Sequence, residues 1–181
     1  NYPTQGDGYV TVLQPGKPEF EWSDATLNFK RPNKNNLVIY ELWVYDHTPS
    51  RNIKGLIERL DYIEDLGVNA VELMPITEFD GNDSWGYSPN HFFALDKQYG
   101  TSDELKTFID ECHKRGIAVI LDMVFNHATG LNPMNKLYPY GTDLSQNPWF
   151  NVTAPHSDNV YEDWNHDFVP TKTMFTRSLA Y

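Results

Sequence analysis

One stretch, IAVILDMVFNH from Ile117 to His127, constrains this chain more than any other. Its apolar and largely β-branched run from Ile117 to Phe125 is typical of a strand that is buried on both faces, as in a parallel sheet. Asp122 lies inside that run, and an ionised carboxylate there is costly unless a partner satisfies it. Asn126 and His127 follow where the strand should emerge. Because α/β enzymes build sites at the carboxyl ends of parallel strands, this stretch predicts a functional edge.

Two more strands and two helices precede this one in regular alternation. Apolar runs predict strands over Leu37–Tyr45 and Val68–Met74. Apolar residues at helical spacing between Ile53 and Leu66 predict a helix that ends at Gly67. Strand and helix in alternation imply a parallel sheet with right-handed crossovers.

The second helix carries its own start and stop signals. Thr101 followed three residues later by Glu104 fits a capping box, and Gly116 follows the last helical residue. Cys112 lies on the apolar face of this helix, where we expect a buried thiol. As the chain has a single cysteine, no internal disulfide can form. A third helix is expected to begin near Pro170.

The connections between these elements are unequal in length. The helix-to-strand links are one or two residues, whereas 26 residues separate Met74 from Thr101 and about 40 follow Phe125. Long strand-to-helix loops form the active face of a β/α barrel. A doubly wound sheet follows the same rule, so the spacing leaves both folds open.

Charge and hydropathy exclude several classes of partner. The formal net charge of −11 disfavours nucleic acids and anionic membranes, since phosphate binding needs clustered Lys and Arg. No apolar run reaches the roughly 18 residues of a membrane span. A neutral polar ligand such as a sugar is compatible with this charge. We expect an extracellular or periplasmic location rather than a cytoplasmic one.

Three segments in the same order resemble the α-amylase superfamily, glycoside hydrolase family 13. They are GLIERLDYIEDLGVNAVELMPI (Gly55–Ile76), DSWGYSPNHFFALDKQYGTSDELKTFIDECHKRG (Asp83–Gly116) and LDMVFNH (Leu121–His127). A fourth segment, LVIYELWVYDHT (Leu37–Thr48), is most similar to the pullulanase and branching-enzyme side of the family. The resemblance extends from about residue 37 to residue 181.

The resemblance implies an α/β fold, namely part of a (β/α)8 TIM barrel. Residues 37–181 would form the N-terminal portion of that catalytic domain, comprising its first three β/α units. Residues 126–165 would form a long loop or subdomain after the third strand. Residues 1–36 would be a linker or the tail of an upstream module.

The resemblance also implies an enzyme that cleaves α-glucans such as starch, glycogen or pullulan with retention of configuration. The family carries its nucleophile and acid/base on later strands, so we expect no catalytic residue in this chain. The isolated fragment should be inactive, and its exposed strand edges should make it self-associate. Two alternatives are a non-catalytic carbohydrate-binding protein on the same fold and an unrelated barrel or doubly wound enzyme.

Family motifs imply roles for individual residues. Tyr87 would be a stacking platform for a sugar ring, and Trp85 beside it would either contact the ligand or anchor the loop. His127 would donate hydrogen bonds to sugar hydroxyls. Asp122 would support the site by orienting neighbouring polar groups, such as His127 or a backbone loop.

Asn126 is the other site-supporting residue, and in many α-amylases its counterpart is a calcium ligand. Calcium prefers six to eight oxygen ligands. Several relatives on the branching side bind no calcium at this position. The resemblance therefore implies no required cofactor, with a Ca2+ ion at Asn126 as an option.

Overall fold

The computed structural model describes residues 13–125, 127–134, 147–150 and 165–166. The chain divides into two compact units, the first made of residues 1–76 and 95–122, the second of residues 77–94 and 123–181. In chain order the strands are β1 (Ile39–Leu42), β2 (Ala70–Leu73), β3 (Thr77–Phe79), β4 (Pro89–Leu95), β5 (Ala118–Leu121), β6 (His127–Ala128) and β7 (Asn165–His166). The helices are α1 (Asp24–Leu27), α2 (Val44–His47), α3 (Ile53–Glu58), α4 (Leu60–Asp65) and α5 (Ser102–Lys114), with a 3-10 turn at Lys34–Asn36.

The first unit contains a three-stranded parallel sheet in the order β1, β2, β5. Ile39 is level with Ala70, which is level with Ala118, and the register continues to Leu42, Leu73 and Leu121. Helices α3 and α4 join β1 to β2, and α5 leads into β5. This is the repeating strand and helix order that the sequence predicts, and the parallel sheet confirms the predicted α/β class.

Helix α5 begins and ends where its sequence signals lie. The Thr101 hydroxyl accepts from the Glu104 backbone N–H while the Glu104 carboxylate accepts from the Thr101 N–H, which completes the capping box. Gly116 then adopts a φ of 71°, in the left-handed region that suits glycine. Cys112 is fully buried, as predicted, and burial raises the pKa of its thiol to about 12.

The predicted first helix is interrupted by one residue. Arg59 ends α3 and precedes α4, and its N–H bonds to the Leu56 carbonyl, three residues back. Such a tightened turn leaves the apolar face intact. Leu56, Leu60 and Ile63 are all fully buried on that face, and Gly67 follows with a φ of 74°.

All three predicted strands are shorter than their apolar runs, and the second run, Val68–Met74, forms a strand only over Ala70–Leu73. The first run, Leu37–Tyr45, forms a strand only over Ile39–Leu42, after which Val44 starts the short helix α2. The third run, Ile117–Phe125, forms a strand only over Ala118–Leu121, so Asp122 follows the strand instead of lying within it.

The prediction that this third strand is buried on both faces is wrong for the described structure. No residue of β5 is buried, and Leu121 is 42% exposed. The physical reason is its position at one edge of the described sheet. Side chains of β2 flank those of β5 on one side only, so the side chains on both faces of β5 stay partly accessible. By contrast, three of the four residues of the central strand β2 are buried, at Ala70, Val71 and Leu73.

The second unit holds structure within the predicted long loop after the second strand. Strands β3 and β4 pair as a two-stranded sheet, and β6 pairs antiparallel with β7. Phe92, Ala128 and Phe150 form a small buried core, against which Phe125, Met134 and Trp149 pack. Much of the predicted 126–165 subdomain, and the helix predicted near Pro170, lie outside the described residues. Among the described residues, no helix is both long and apolar enough to cross a membrane.

Candidate functional site

A closed loop in the second unit presents the aromatic residues of the predicted site. This site loop, residues 80–88, connects β3 to β4 and is closed at its base by a hydrogen bond from the Asp80 N–H to the Ser88 carbonyl at 2.9 Å. Within it the Gly86 N–H donates to the Ser84 hydroxyl at 3.1 Å. Gly86 has a φ of 91°, a backbone conformation that residues with a side chain rarely adopt. The loop therefore has a defined turn between Trp85 and Tyr87.

His127 holds this loop from the second segment of the unit. Its Nε2 lies 2.8 Å from the Tyr87 carbonyl oxygen, across 40 residues of sequence. A carbonyl oxygen can only accept, so Nε2 carries the proton and donates this bond. The structure thus brings two predicted site residues, His127 and Tyr87, into direct contact.

The two aromatic side chains of the site loop remain accessible. Trp85 is 62% exposed and Tyr87 is 37% exposed. Accessible rings that are apolar on their faces and polar at one end are suited to ligands with both apolar and polar surfaces. The exposure argues against Trp85 as a buried loop anchor.

Two buried polar residues that the sequence did not predict, Asn90 and Thr129, link the segments that flank the site loop and His127. The Thr129 hydroxyl donates to the Asn90 side-chain oxygen, and the Thr129 N–H donates to the Pro89 carbonyl at 3.1 Å. Asn90 and Thr129 are 4% and 6% exposed. These bonds tie the start of β4 to the residues after His127. The available signal was Asn90 itself, a polar residue near the start of the strand PNHFFAL, whose last four residues are apolar.

Apolar packing reinforces the same connection. Phe92 of β4 and Phe125 lie with ring centroids 6.2 Å apart, and Ala128 of β6 is fully buried in the same core. Because interiors are close-packed, this core limits how far β4 and β6 can shift. His127 lies between Phe125 and Ala128 in sequence, so its position is fixed by the packing of its neighbours.

Of the two predicted site-supporting residues, the structure describes Asp122 but not Asn126. Asp122 directly follows β5 in the first unit, and its N–H donates to the Leu73 carbonyl at 3.0 Å, continuing the parallel pairing. Its predicted role of orienting other polar groups stays a prediction. Asn126 lies outside the described residues, so the predicted calcium site there also stays a prediction. In the described ranges, no three His, Cys, Asp or Glu side chains cluster as a metal site would require.

Comparisons with known proteins agree with the resemblance. The family description "Alpha amylase, catalytic domain" matches residues 26–175. A malto-oligosyltrehalose trehalohydrolase from Saccharolobus solfataricus is 38% identical over 157 residues, covering 84% of this chain and 27% of that protein. A 1,4-alpha-glucan branching enzyme from Xanthomonas oryzae pv. oryzae is 33% identical over 172 residues, covering 87% of this chain and 22% of that protein. The chain thus spans about a quarter of the length of these curated relatives.

A solved structure gives the same answer for the fold. The crystal structure of a Salmonella typhimurium protein assigned as an alpha amylase aligns with a TM-score of 0.69 at 28% identity, covering 93% of this chain and 26% of that one. This alignment confirms the predicted fold, part of an α-amylase-type barrel. The branching enzyme among the relatives confirms the predicted similarity to the branching-enzyme side of the family. The chain belongs to the alpha-amylase catalytic domain family, glycoside hydrolase family 13.

Proposed function

We propose that the protein containing this chain is a retaining glycoside hydrolase that hydrolyses or transfers α-glucosidic bonds in α-glucans. The observation that carries the proposal is the hydrogen bond from His127 Nε2 to the Tyr87 carbonyl. It holds an exposed aromatic loop beside an imidazole, and the family match covers both residues.

Each site residue has a chemical task in this proposal. The ring faces of Tyr87 and Trp85 pack against the C–H faces of a sugar. His127 already donates its Nε2 proton to the Tyr87 carbonyl, so it binds a sugar hydroxyl as an acceptor through Nδ1, not as the donor that the resemblance implies. Hydrogen bonds to hydroxyls near the cleaved bond strengthen as the ring flattens in the transition state. Asp122, in the first unit, would orient the polar groups that lie beside it.

The bond-breaking chemistry then comes from two carboxyl groups supplied by other segments of the protein. In retaining enzymes these groups lie about 5–5.5 Å apart, one acting as nucleophile and the other as acid and base. This chain provides the wall against which the reacting sugar is held. The reaction requires no cofactor, and the net charge of −11 fits an uncharged substrate.

The test is turnover of maltooligosaccharides and pullulan by the gene product that carries this chain. Proton NMR of the first product formed should show the α-anomer. We expect Tyr87→Ala to lower kcat/KM about tenfold, because an aromatic contact contributes up to about 1.4 kcal/mol. His127→Ala should also lower kcat/KM about tenfold, because the Tyr87 carbonyl loses the donor that holds the site loop and the aromatic contact with the sugar is no longer fixed in place.

Tyr62→Ala is the matched control, since Tyr62 on α4 is similarly exposed at 44% and lies in the first unit. Its turnover should equal that of the unsubstituted enzyme. A β-anomeric first product, or full activity in both the Tyr87 and His127 variants, would rule the proposal out.

A further inference from the structure

A groove outside the site loop lies between the N-terminal segment and the first turns of α5. Its volume is about 620 Å3, within the range of about 300–1,000 Å3 that is usual for ligand sites. We call it the N-terminal groove and define it by its lining residues, Gln14, Lys17, Pro18, Glu19, Phe20, Trp22, Ser102, Asp103 and Lys106. All of them belong to the first unit.

The wall of the groove is fixed to α5 by a buried carboxylate. Asp110 Oδ1 accepts from the Ser23 N–H at 3.0 Å, from the Ser23 hydroxyl at 2.7 Å and from the Thr26 hydroxyl at 2.7 Å. Phe29 stacks on the His113 ring with centroids 3.9 Å apart. These contacts hold the residues that directly follow Trp22 against α5, and so fix the position at which the N-terminal segment leaves the groove.

Two aromatic rings form one side of the groove. Phe20 and Trp22 meet edge to face, with centroids 4.9 Å apart and an interplanar angle of 68°. Both rings are half-buried, so each keeps an accessible surface. Lys106 Nζ lies 5.8 Å from the Phe20 centroid, which extends this surface with a cation. Half-buried aromatic rings beside hydrogen-bonding groups are suited to the C–H faces of sugar rings.

The polar groups of the groove supply both donors and acceptors. Lys17 Nζ pairs with Asp103 at 2.8 Å. Within the part of the chain that the structure describes, the side chains of Gln14 and Glu19 form no hydrogen bond or ion pair. They are therefore available to a ligand.

The charges of the groove favour a neutral ligand. Two cationic residues, Lys17 and Lys106, balance two anionic ones, Glu19 and Asp103, although the whole chain carries −11. A balanced, aromatic and hydrogen-bonding surface does not concentrate polyanions or polycations. It matches an uncharged molecule that has many hydroxyl groups.

We propose that the N-terminal groove is an accessory binding site for a neutral oligosaccharide, namely a short stretch of an α-glucan chain. The choice of an α-glucan rests on the proposed function, whereas the sugar class rests on the groove itself. Residues 14–22 precede the segment that matches the family, which starts at residue 26. The groove shares no residue with the site loop, so it would be a second contact for a polymeric substrate.

The experiment measures binding and turnover in the same set of proteins. The gene product that carries this chain is run through native gels with and without amylopectin, and turnover of maltotriose is assayed in parallel. Trp22→Ala should weaken amylopectin retardation about tenfold through loss of an aromatic contact, with maltotriose turnover unchanged. The double variant Gln14→Ala with Glu19→Ala should weaken retardation too, and both positions are exposed, so folding is not at risk.

Tyr62→Ala, an exposed tyrosine with the Arg59 guanidinium 4.8 Å above its ring, is the matched aromatic control and should keep full retardation. The inference is wrong if amylopectin does not retard the unsubstituted protein, or if both groove variants are retarded as strongly as it is. It is also wrong if a peptide library, rather than the glucan, binds in a Trp22-dependent way. Trp22-dependent retardation without any turnover would instead remove the proposed function and leave the groove.

Discussion

At the scale of single residues, the buried carboxylate of Asp110 is held by three partners, Ser23, Thr26 and Lys114. Burial alone would raise the pKa of its carboxyl, but hydrogen bonds from Thr26, Ser23 and Lys114 outweigh burial and hold that pKa well below its usual range. The neighbouring Glu111 differs, because it is only half-buried and its ion pairs with exposed Lys114 and half-buried Arg115 lower its pKa. Asp110 thus binds the N-terminal segment to α5, whereas Glu111 forms ion pairs within the end of the same helix.

We predict that Asp110→Asn lowers the free energy of unfolding by about 1–3 kcal/mol at pH 7, because donors from Ser23 and Thr26 lose a charged acceptor. The folded-state pKa lies below the unfolded value of about 3.9, so this stabilisation is complete above that pH and is lost as the pH falls below it. Urea unfolding at pH 7 and pH 3 should show a smaller pH dependence in the variant. Glu111→Gln is the control and should cost about 0–1 kcal/mol. Equal effects of both substitutions would contradict the assignment.

At the scale of elements, α5 is the helix on which most of the first unit depends. It packs against α1 and α3 and leads directly into β5. Its start is fixed by the reciprocal bonds of Thr101 and Glu104, including the Thr101 N–H to the Glu104 carboxylate at 2.7 Å. Its position also sets the floor of the N-terminal groove, through Ser102, Asp103 and Lys106.

We predict that Thr101→Ala destabilises the chain by about 1 kcal/mol, the usual cost of losing an N-cap side chain. Thr107→Ala is the matched control on the same helix, since the Thr107 hydroxyl bonds only to the Asp103 carbonyl within the helix. Alanine is the better helix former there, so its effect should be near zero or slightly stabilising. Denaturant midpoints of the two variants give the comparison, and an unchanged midpoint in Thr101→Ala would show that the cap is not needed.

At the scale of the whole molecule, the described sheet has two open edges. β1 and β5 lie at the outer positions of the order β1, β2, β5, and each has one strand neighbour among the described residues. Apolar side chains are exposed at these strands, with Ile39 at 45% and Leu121 at 42%. Unpaired strand edges that carry apolar residues favour pairing with another chain.

We therefore predict that the purified 181-residue chain self-associates. Sedimentation velocity should show species larger than a monomer, in a concentration-dependent way. Ile39→Lys should reduce the association, because a charge on an edge strand opposes edge-to-edge pairing. Lys54→Glu on the exposed surface of α3 is a charge-change control. A single monomeric species at all concentrations would contradict the prediction.

Elements with local signals were the ones predicted well from the sequence. The capping box at Thr101 and the glycines at positions 67 and 116 act within one turn of chain, so residue order alone locates them. The site was predicted in part: the Tyr87 and His127 pair came from family motifs, and the structure brings the two residues into contact. Asn90 and Thr129, 39 residues apart, were missed because no local pattern announces a contact between distant buried polar groups.

The sequence by itself determined the order of strands and helices, the parallel α/β class and the family, because periodicity, caps and motifs are properties of short segments. The tertiary structure alone decided that β5 lies at an edge of the described sheet with no buried residue, that Asp110 binds Ser23 and Thr26, and that the N-terminal groove exists. Each of these depends on residues more than 40 positions apart. Burial and hydrogen bonding are set by neighbours in space, and the chain specifies those neighbours only once its segments pack together.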